Sequence, residues 1–422
     1  MRYTFLLLIT FLGTSLWAQD ANQAAASAQK YAEVLYNIER FYVDAPDAPK
    51  LTETAIVAML EALDPHSTYI PKEELDDAQM QINGSFVGIG VRFQLMKDTI
   101  SVVATIPGGP SEKLGILPGD QIVQVDGQAV AGIGIKNDQV RQKLMGDLGT
   151  KVKVTVNRKG KLLDFTITRD KIPVFSVDAA YMIDKEIGYI KLNSFSKTTV
   201  QEVQNALLSL KEQGMKSLIF DLQGNGGGLL DAAHKLADEF LSGDKLVVYS
   251  EGRAQPRYDL KAGKRGLFED GPLIILTDEY AASASEILSG AIQDWDRGLV
   301  VGRRTYGKGL VQQTVDLAYN TKMKVTVAKY YTPSGRCIQK LDYGNKVNGK
   351  AQQFDESQIK TFKTKNGRTV VDASGVHPDV EMTKNLNRDF INALNRNYAF
   401  FQFGSQYKLN HASIDSTGHF AL

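Results

Sequence analysis

The 422-residue chain has one cysteine, Cys337, which excludes an internal disulfide and any cysteine-based metal cluster. It has almost no net charge: 49 Lys and Arg stand against 48 Asp and Glu, leaving +1. No overall field therefore draws nucleic acid or an anionic membrane surface, and nucleic acid is not an expected partner. Histidine is scarce, with only His66, His234, His377, His411 and His419. None lies in a glycine-flanked loop beside an expected strand end, so a Ser-His-Asp triad has weak support. Nothing beyond the first residues comes near the roughly 18 apolar residues of a membrane span.

Those first residues carry a signal of their own. Arg2 precedes the apolar run "FLLLITFLGTSLWA" (Phe5–Ala18), and small and polar residues follow. A charged n-region, a short apolar core and small residues at Ala18 describe a signal peptide over 1–18, with an uncleaved membrane anchor as the alternative. The expectation is an exported, periplasmic protein that is soluble after cleavage.

Apolar spacing predicts helices over 24–80, broken at "LDPHSTYI" (Leu63–Ile70) by a proline and a turn. From 83 to 172 the texture changes to short strands and glycine turns. Val152, Val154 and Val156 alternate against Leu163, Phe165 and Ile167 across "RKG", a hairpin in a small, partly open β domain. From 173 to 385 strands and helices alternate, an α/β layer structure. The polar, aromatic tail 386–422 has no assigned place. The expected fold is thus multidomain α/β.

Three stretches carry candidate chemistry. "AASASEILSGAIQD" (Ala281–Asp294) opens an expected helix directly after the apolar strand-like run "PLIILTDEY" (Pro272–Tyr280). A serine at a helix start is usually a cap, and it becomes a nucleophile only with a base and an oxyanion site. In "RTYGKGLVQQTVDL" (Arg304–Leu317), Lys308 stands between two glycines; burial could lower its pKa from about 10.4 towards 7–8, where an amine serves as general base. "DLQGNGGGLL" (Asp221–Leu230) joins an expected strand to an expected helix through four glycines, whose N–H groups suit an oxyanion or a phosphate. A dinucleotide fingerprint fails on spacing, because Leu229 stands where its third glycine belongs.

Taken in order, "SFVGIGV" (Ser85–Val91), "GGPSEKLGILPGDQIVQVDG", "DLQGNGGGLLDAA", "AASASEILSGAIQD", "TYGKGLVQ" and "YYTPSGRCIQ" (Tyr330–Gln339) resemble the carboxy-terminal processing peptidases, or tail-specific proteases. "LDPHSTYI" and "GVHPDVEM" (Gly375–Met382) fit as well, and the resemblance spans roughly 30–385. It implies a Ser/Lys serine peptidase core over 173–385 with an inserted PDZ domain over 83–172. By motif, the nucleophile falls on Ser283, the lysine base on Lys308 and an orienting glutamine on Gln312. The oxyanion hole falls on the N–H of Ala284 and of Gly227 or Gly228. Three departures stand out: Ala281 replaces the first serine of S-A-S-A-S-E, Gln223 an arginine and Gly226 a proline. Ser285 reads as a cap or packing residue, and Asp294 as a structural partner at the helix end.

The PDZ resemblance assigns peptide-terminus binding to Phe86, Val87, Gly88, Ile89, Gly90 and Val91. In that mode loop amides take the carboxylate, the peptide adds as a strand, and apolar side chains make the pocket. The implied partners are unfolded or tail-exposed proteins with apolar C-termini. No metal or organic cofactor is called for. A regulatory adaptor, and homo-oligomers built through the N-terminal helices or the tail, are compatible with this reading. So is a different function class, a tail-binding scaffold with a gated or inactive core.

Overall fold

The computed structural model of the protein describes residues 23–75, 83–263, 265–383 and 388–410. The expected signal peptide, His411 and His419 lie outside them. The N-terminal region forms helices over 23–41 and Ala48–Leu63, then a short strand, Thr68–Ile70. The helical pattern stops at Pro65, where Asp64 Oδ1 accepts from the His66 and Ser67 amides (2.8 and 2.9 Å) and Oδ2 from Ser67 Oγ (3.0 Å). Such Asx geometry offers the backbone a turn in place of another helical bond. Among the described residues no helix is long and apolar enough to cross a membrane.

The glycine-rich region folds as a six-stranded antiparallel sheet with its own apolar core around Ile100, Ile122, Val154 and Ile167. The hairpin pairs Val152 with Ile167, Val154 with Phe165 and Val156 with Leu163, the register that its alternation demands. A two-stranded stem, Ser85–Gly88 against Asp170–Pro173, joins this sheet to the rest of the chain.

The α/β region is built on a six-stranded sheet in the order Val177–Met182, Ile187–Leu192, Ser217–Asp221, Leu273–Thr277, Leu299–Gly302, Val380–Glu381. The first pair is antiparallel and the rest are parallel. Parallel strands covered on both faces read as unbroken apolar runs, which "LIF" (Leu218–Phe220) and "LIIL" (Leu273–Leu276) are. A second, antiparallel sheet includes Leu246–Gly252, Leu310–Leu317 and Thr321–Tyr331, with Thr68–Ile70 added to the last. The tail, for which the sequence suggested no place, forms helices Arg388–Arg396 and Ala399–Asn410. Tyr398 between them donates to Leu95 O in the small β domain (3.3 Å).

The helix Ala284–Asp294 is buried along its whole length, polar residues included. A helix buried all round must satisfy its polar groups internally. Gln293 Nε2 donates to His377 O and Asp379 Oδ1, and Asp294 Oδ2 accepts from Ser334 N (2.9 Å). Arg336, fully buried, sits 2.8 Å from Asp294 Oδ1 and donates to Gln293 Oε1 (2.7 Å). Removing one partner of a buried ion pair strands the other charge. Arg336→Ala should cost about 3–5 kcal/mol in urea unfolding, whereas Arg336→Met combined with Asp294→Leu should recover most of that loss.

Candidate active site

Three neighbouring parallel strands, Ser217–Asp221, Leu273–Thr277 and Leu299–Gly302, end side by side. The glycine loop, the serine turn and the lysine loop leave from their carboxyl ends, the edge where open α/β sheets place their sites. Asp278 ties the first two loops: its Oδ1 accepts from Gly224 N (2.9 Å), Tyr280 N (3.0 Å) and Ala281 N (3.1 Å).

Ser283 has φ 57° and ψ −113°, a conformation non-glycine residues adopt only when their surroundings impose it. Its N–H donates to Glu286 Oε2 (2.8 Å), and its carbonyl accepts from Glu286 N (2.8 Å), Ile287 N (3.0 Å) and the Tyr330 hydroxyl (3.1 Å). Ser283 is half-buried, while Ser285 is fully buried and donates to Asn225 O (2.9 Å). Ser285 is thus a staple between the serine turn and the glycine loop.

Lys308 is held by the same carboxylate. Glu286 Oε2 accepts from Lys308 N (2.9 Å), and Oε1 from Gly307 N (2.7 Å) and Thr305 Oγ1 (2.5 Å). The fully buried Glu286 therefore gathers four donors from two loops. Burial pushes its pKa up to about 7, against the opposing pull of those donors. The Lys308 carbonyl accepts from Tyr330 Oη (2.7 Å). Burial first, and then the charge of Lys324, lower the Lys308 amine below the ordinary lysine value. Gln312 lies on the strand after Lys308, but its amide donates to Thr326 Oγ1 (3.3 Å). No hydrogen bond joins Ser283 Oγ to Lys308 Nζ.

In the glycine loop, Asn225 is the organiser. Its Nδ2 donates to Leu192 O (3.0 Å), and its carbonyl accepts from Ala282 N (3.0 Å). Its Oδ1 takes the Gly227 N–H (2.9 Å), so that amide is already committed. The N–H groups of Gly228 and of Ala284, the first helical residue, have no partner among the described residues. Gly227 touches the serine turn: a Cβ there would stand 2.6 Å from Ala282 O and 2.9 Å from Ser283 Cβ, at φ +99°.

In the small β domain, Phe86, Gly88, Ile89, Gly90 and Val91 line a cavity of about 90 Å³ with Phe93, Leu144 and Met145. Val87 pairs with Lys171 and does not line it. The Ile89 and Gly90 carbonyls accept from Ser111 and Ile106 amides (3.2 and 2.9 Å), which fixes the loop. Of the histidines, His234 Nε2 lies 2.8 Å from Lys261 O and His377 Nε2 2.8 Å from Ser374 Oγ, and neither is near Ser283 in these bonds. No group of three or more His, Cys, Asp or Glu among the described residues could hold a metal ion.

Comparison with known proteins agrees with this layout. Residues 186–348 match peptidase family S41 and residues 87–168 match the PDZ domain. The chain is 37% identical to a carboxy-terminal-processing protease of Bartonella bacilliformis, over 78% of this chain and 76% of that protein. It is 32% identical to a carboxy-terminal processing protease of Bacillus subtilis, over 97% and 88%. A solved structure, a photosystem II D1 C-terminal processing protease, is 28% identical, covering 83% of this chain and 92% of that one at TM-score 0.45.

Sequence reasoning passed over Glu286, Asn225, Asp278 and Tyr330. Only Glu286 had a readable signal, a Glu three residues after a helix-capping Ser. The loop contacts give a sharp test. Gly227→Ala should reduce labelling of the protein by a fluorophosphonate at least tenfold. Gly226→Ala, whose Cβ meets open space, should label at the parental rate.

Proposed function

Because the chain belongs to the carboxy-terminal processing proteases of peptidase family S41, we propose that it is an exported endopeptidase that captures unstructured protein tails on its PDZ domain and cleaves them with Ser283 and Lys308. The observation that carries this reading is the single Glu286 carboxylate fastening the backbones of both residues side by side.

In this mechanism neutral Lys308 takes the Ser283 hydroxyl proton as Oγ attacks the scissile carbonyl. The Gly228 and Ala284 amides receive the oxyanion at the start of the helix, where the backbone dipole adds to them. The lysine ammonium then protonates the leaving amine, and water hydrolyses the acyl-enzyme. Gln312 serves by orienting the lysine, through the Oε1 that its bond to Thr326 leaves free. The apolar cavity at Phe86–Val91 selects apolar C-termini. Export rests on the charged and apolar pattern of residues 1–18. One observation favours a second reading, a tail-binding scaffold with a gated core: Ser283 Oγ and Lys308 Nζ are not hydrogen bonded to each other.

Incubation with an unfolded protein ending in apolar residues, read by intact-mass spectrometry, separates the readings. The parent should cleave and Ser283→Ala should not. Cleavage by both would overturn the mechanism, and tail binding without cleavage by the parent would favour the scaffold.

Lys308 makes a second prediction. Its folded pKa lies below the unfolded 10.5, so the folded state binds fewer protons between those values. The cost of burying the ammonium is in full force below that window and is relieved as pH rises through it. Lys308→Met should therefore raise the thermal midpoint at pH 7 while abolishing cleavage. Lys308→Arg, always charged, should also be inactive.

A further inference from the structure

A larger cavity, of about 790 Å³, is walled by the lysine loop itself. Thr305, Tyr306 and Gly307 line it, and the same three residues are fastened to the serine turn. Thr305 Oγ1 and Gly307 N donate to Glu286, and Tyr306 N donates to Ala281 O (3.0 Å), two residues before Ser283. A second wall comes from Gln339 and Lys340. The Lys340 amide donates to Gly307 O (2.9 Å), and a Cβ at Gly307 would stand 2.5 Å from Lys340 Cβ. Gln339 Oε1 accepts from Gly309 N (2.8 Å). These two residues bracket Lys308, so the cavity and the candidate site share a wall. Its size is that of a ligand site and admits a short stretch of peptide.

The charge of the lining is uneven once its internal pair is set aside. Arg303 Nε donates to Glu279 Oε2 (2.6 Å), which offsets one cation with one anion. Exposed Arg304 and half-buried Lys340 have no hydrogen bond or ion pair from their side chains among the described residues, and Glu381 is the other carboxylate of the lining. Two uncommitted cations against one carboxylate leave a recess that favours an anion. The Arg304 guanidinium has the planar fork that matches a carboxylate. We propose that this cavity is a subsite for acidic substrate segments, with Arg304 and Lys340 taking Asp or Glu carboxylates of the polypeptide beside the scissile bond. The inference rests on the reading of Ser283 and Lys308 as the cleaving pair, whose loops form its wall. An apolar C-terminus at the PDZ domain and an acidic stretch at the core are then separate requirements on one tail.

The test compares two unfolded substrates that share an apolar C-terminus and differ only in Glu or Gln at positions flanking the cleaved bond. The parent's kcat/KM should favour the Glu substrate about tenfold. Arg304→Gln combined with Lys340→Gln should bring that ratio close to one. Arg304→Glu combined with Lys340→Glu should turn the preference to a substrate carrying Lys there. Because the ratio is read within each protein, a loss of rate common to both substrates does not imitate the effect. Arg304→Gln alone, at an exposed position, should lower the ratio part of the way and guards against misfolding at Lys340. Equal rates on the two substrates for the parent, or a parental ratio in the variants, would overturn the proposal. Fluorescence anisotropy with Ser283→Ala reads the subsite without cleavage, using Glu-rich and Gln-rich peptides that end in the same apolar residues. The Glu-rich peptide should bind about tenfold more tightly, and equal binding would also overturn the proposal. A parent that cuts neither substrate, beside the expected binding ratio, would keep the acidic-peptide site and sink the peptidase reading.

Discussion

The active region hangs on one buried carboxylate. The serine turn and the lysine loop are short, glycine- and alanine-rich, and come from different strands, so neither has side chains large enough to fix the other by packing. Glu286 replaces packing with four hydrogen bonds, two to each oxygen, from Ser283, Thr305, Gly307 and Lys308. A buried carboxylate is expensive unless every lone pair is used. Here the donors are mostly backbone amides, which cannot move aside without opening the loops. That rigidity holds Ser283 at a positive φ that its own side chain disfavours.

The same burial sets the electrostatics of the site. Protonation of Glu286 would place an O–H among groups that are all donors, so the clamp works with the anion. Its pKa near 7 lies above the ordinary glutamate value of 4.5, and the folded state therefore binds more protons between those values. The group's contribution to stability declines as pH rises from about 4.5 to 7 and is level above. Lys308 is pushed the other way, towards the neutral amine, by burial and by Lys324. Rising pH favours both the Glu286 anion and the neutral Lys308 amine. Burial thus disfavours the charged form of both groups, a cost in stability borne by the two loops.

A bonded route also links the small β domain to the glycine loop. Its stem ends at Pro173, and Val174 N donates to Gly84 O (2.8 Å). Ser176 follows, with its amide on Glu202 Oε2 (2.7 Å) and its hydroxyl 2.8 Å from Ser196 Oγ. Next to Ser196, Phe195 pairs with the loop itself, donating to Gly227 O (3.0 Å) and accepting from Leu229 N (2.8 Å). Gly228 must be glycine for this pairing, since a Cβ would fall 2.1 Å from Phe195 O. The segment that anchors the PDZ domain is therefore the segment that shapes the glycine loop.

How much of this was legible in the sequence follows from the range of each interaction. The β hairpin and the parallel strands were readable, because period-2 alternation and unbroken apolar runs are local consequences of one or two covered faces. Ser283, Lys308 and the glycine loop stood out through their neighbours in the chain, and their motif order supplied the family. What stayed hidden depends on contacts between distant residues. Nothing local to Asn225 says that its side chain occupies the Gly227 amide and so takes that donor, though not the Gly228 one, out of use. Nothing local to Gln312 says that Thr326 takes its amide. The deepest case is Arg336, a charge in the sequence that reads as surface and lies fully buried against Asp294, 42 positions away. Spacing reveals which residues a site needs to have, whereas the partners that hold them still are set by the packing of the whole sheet.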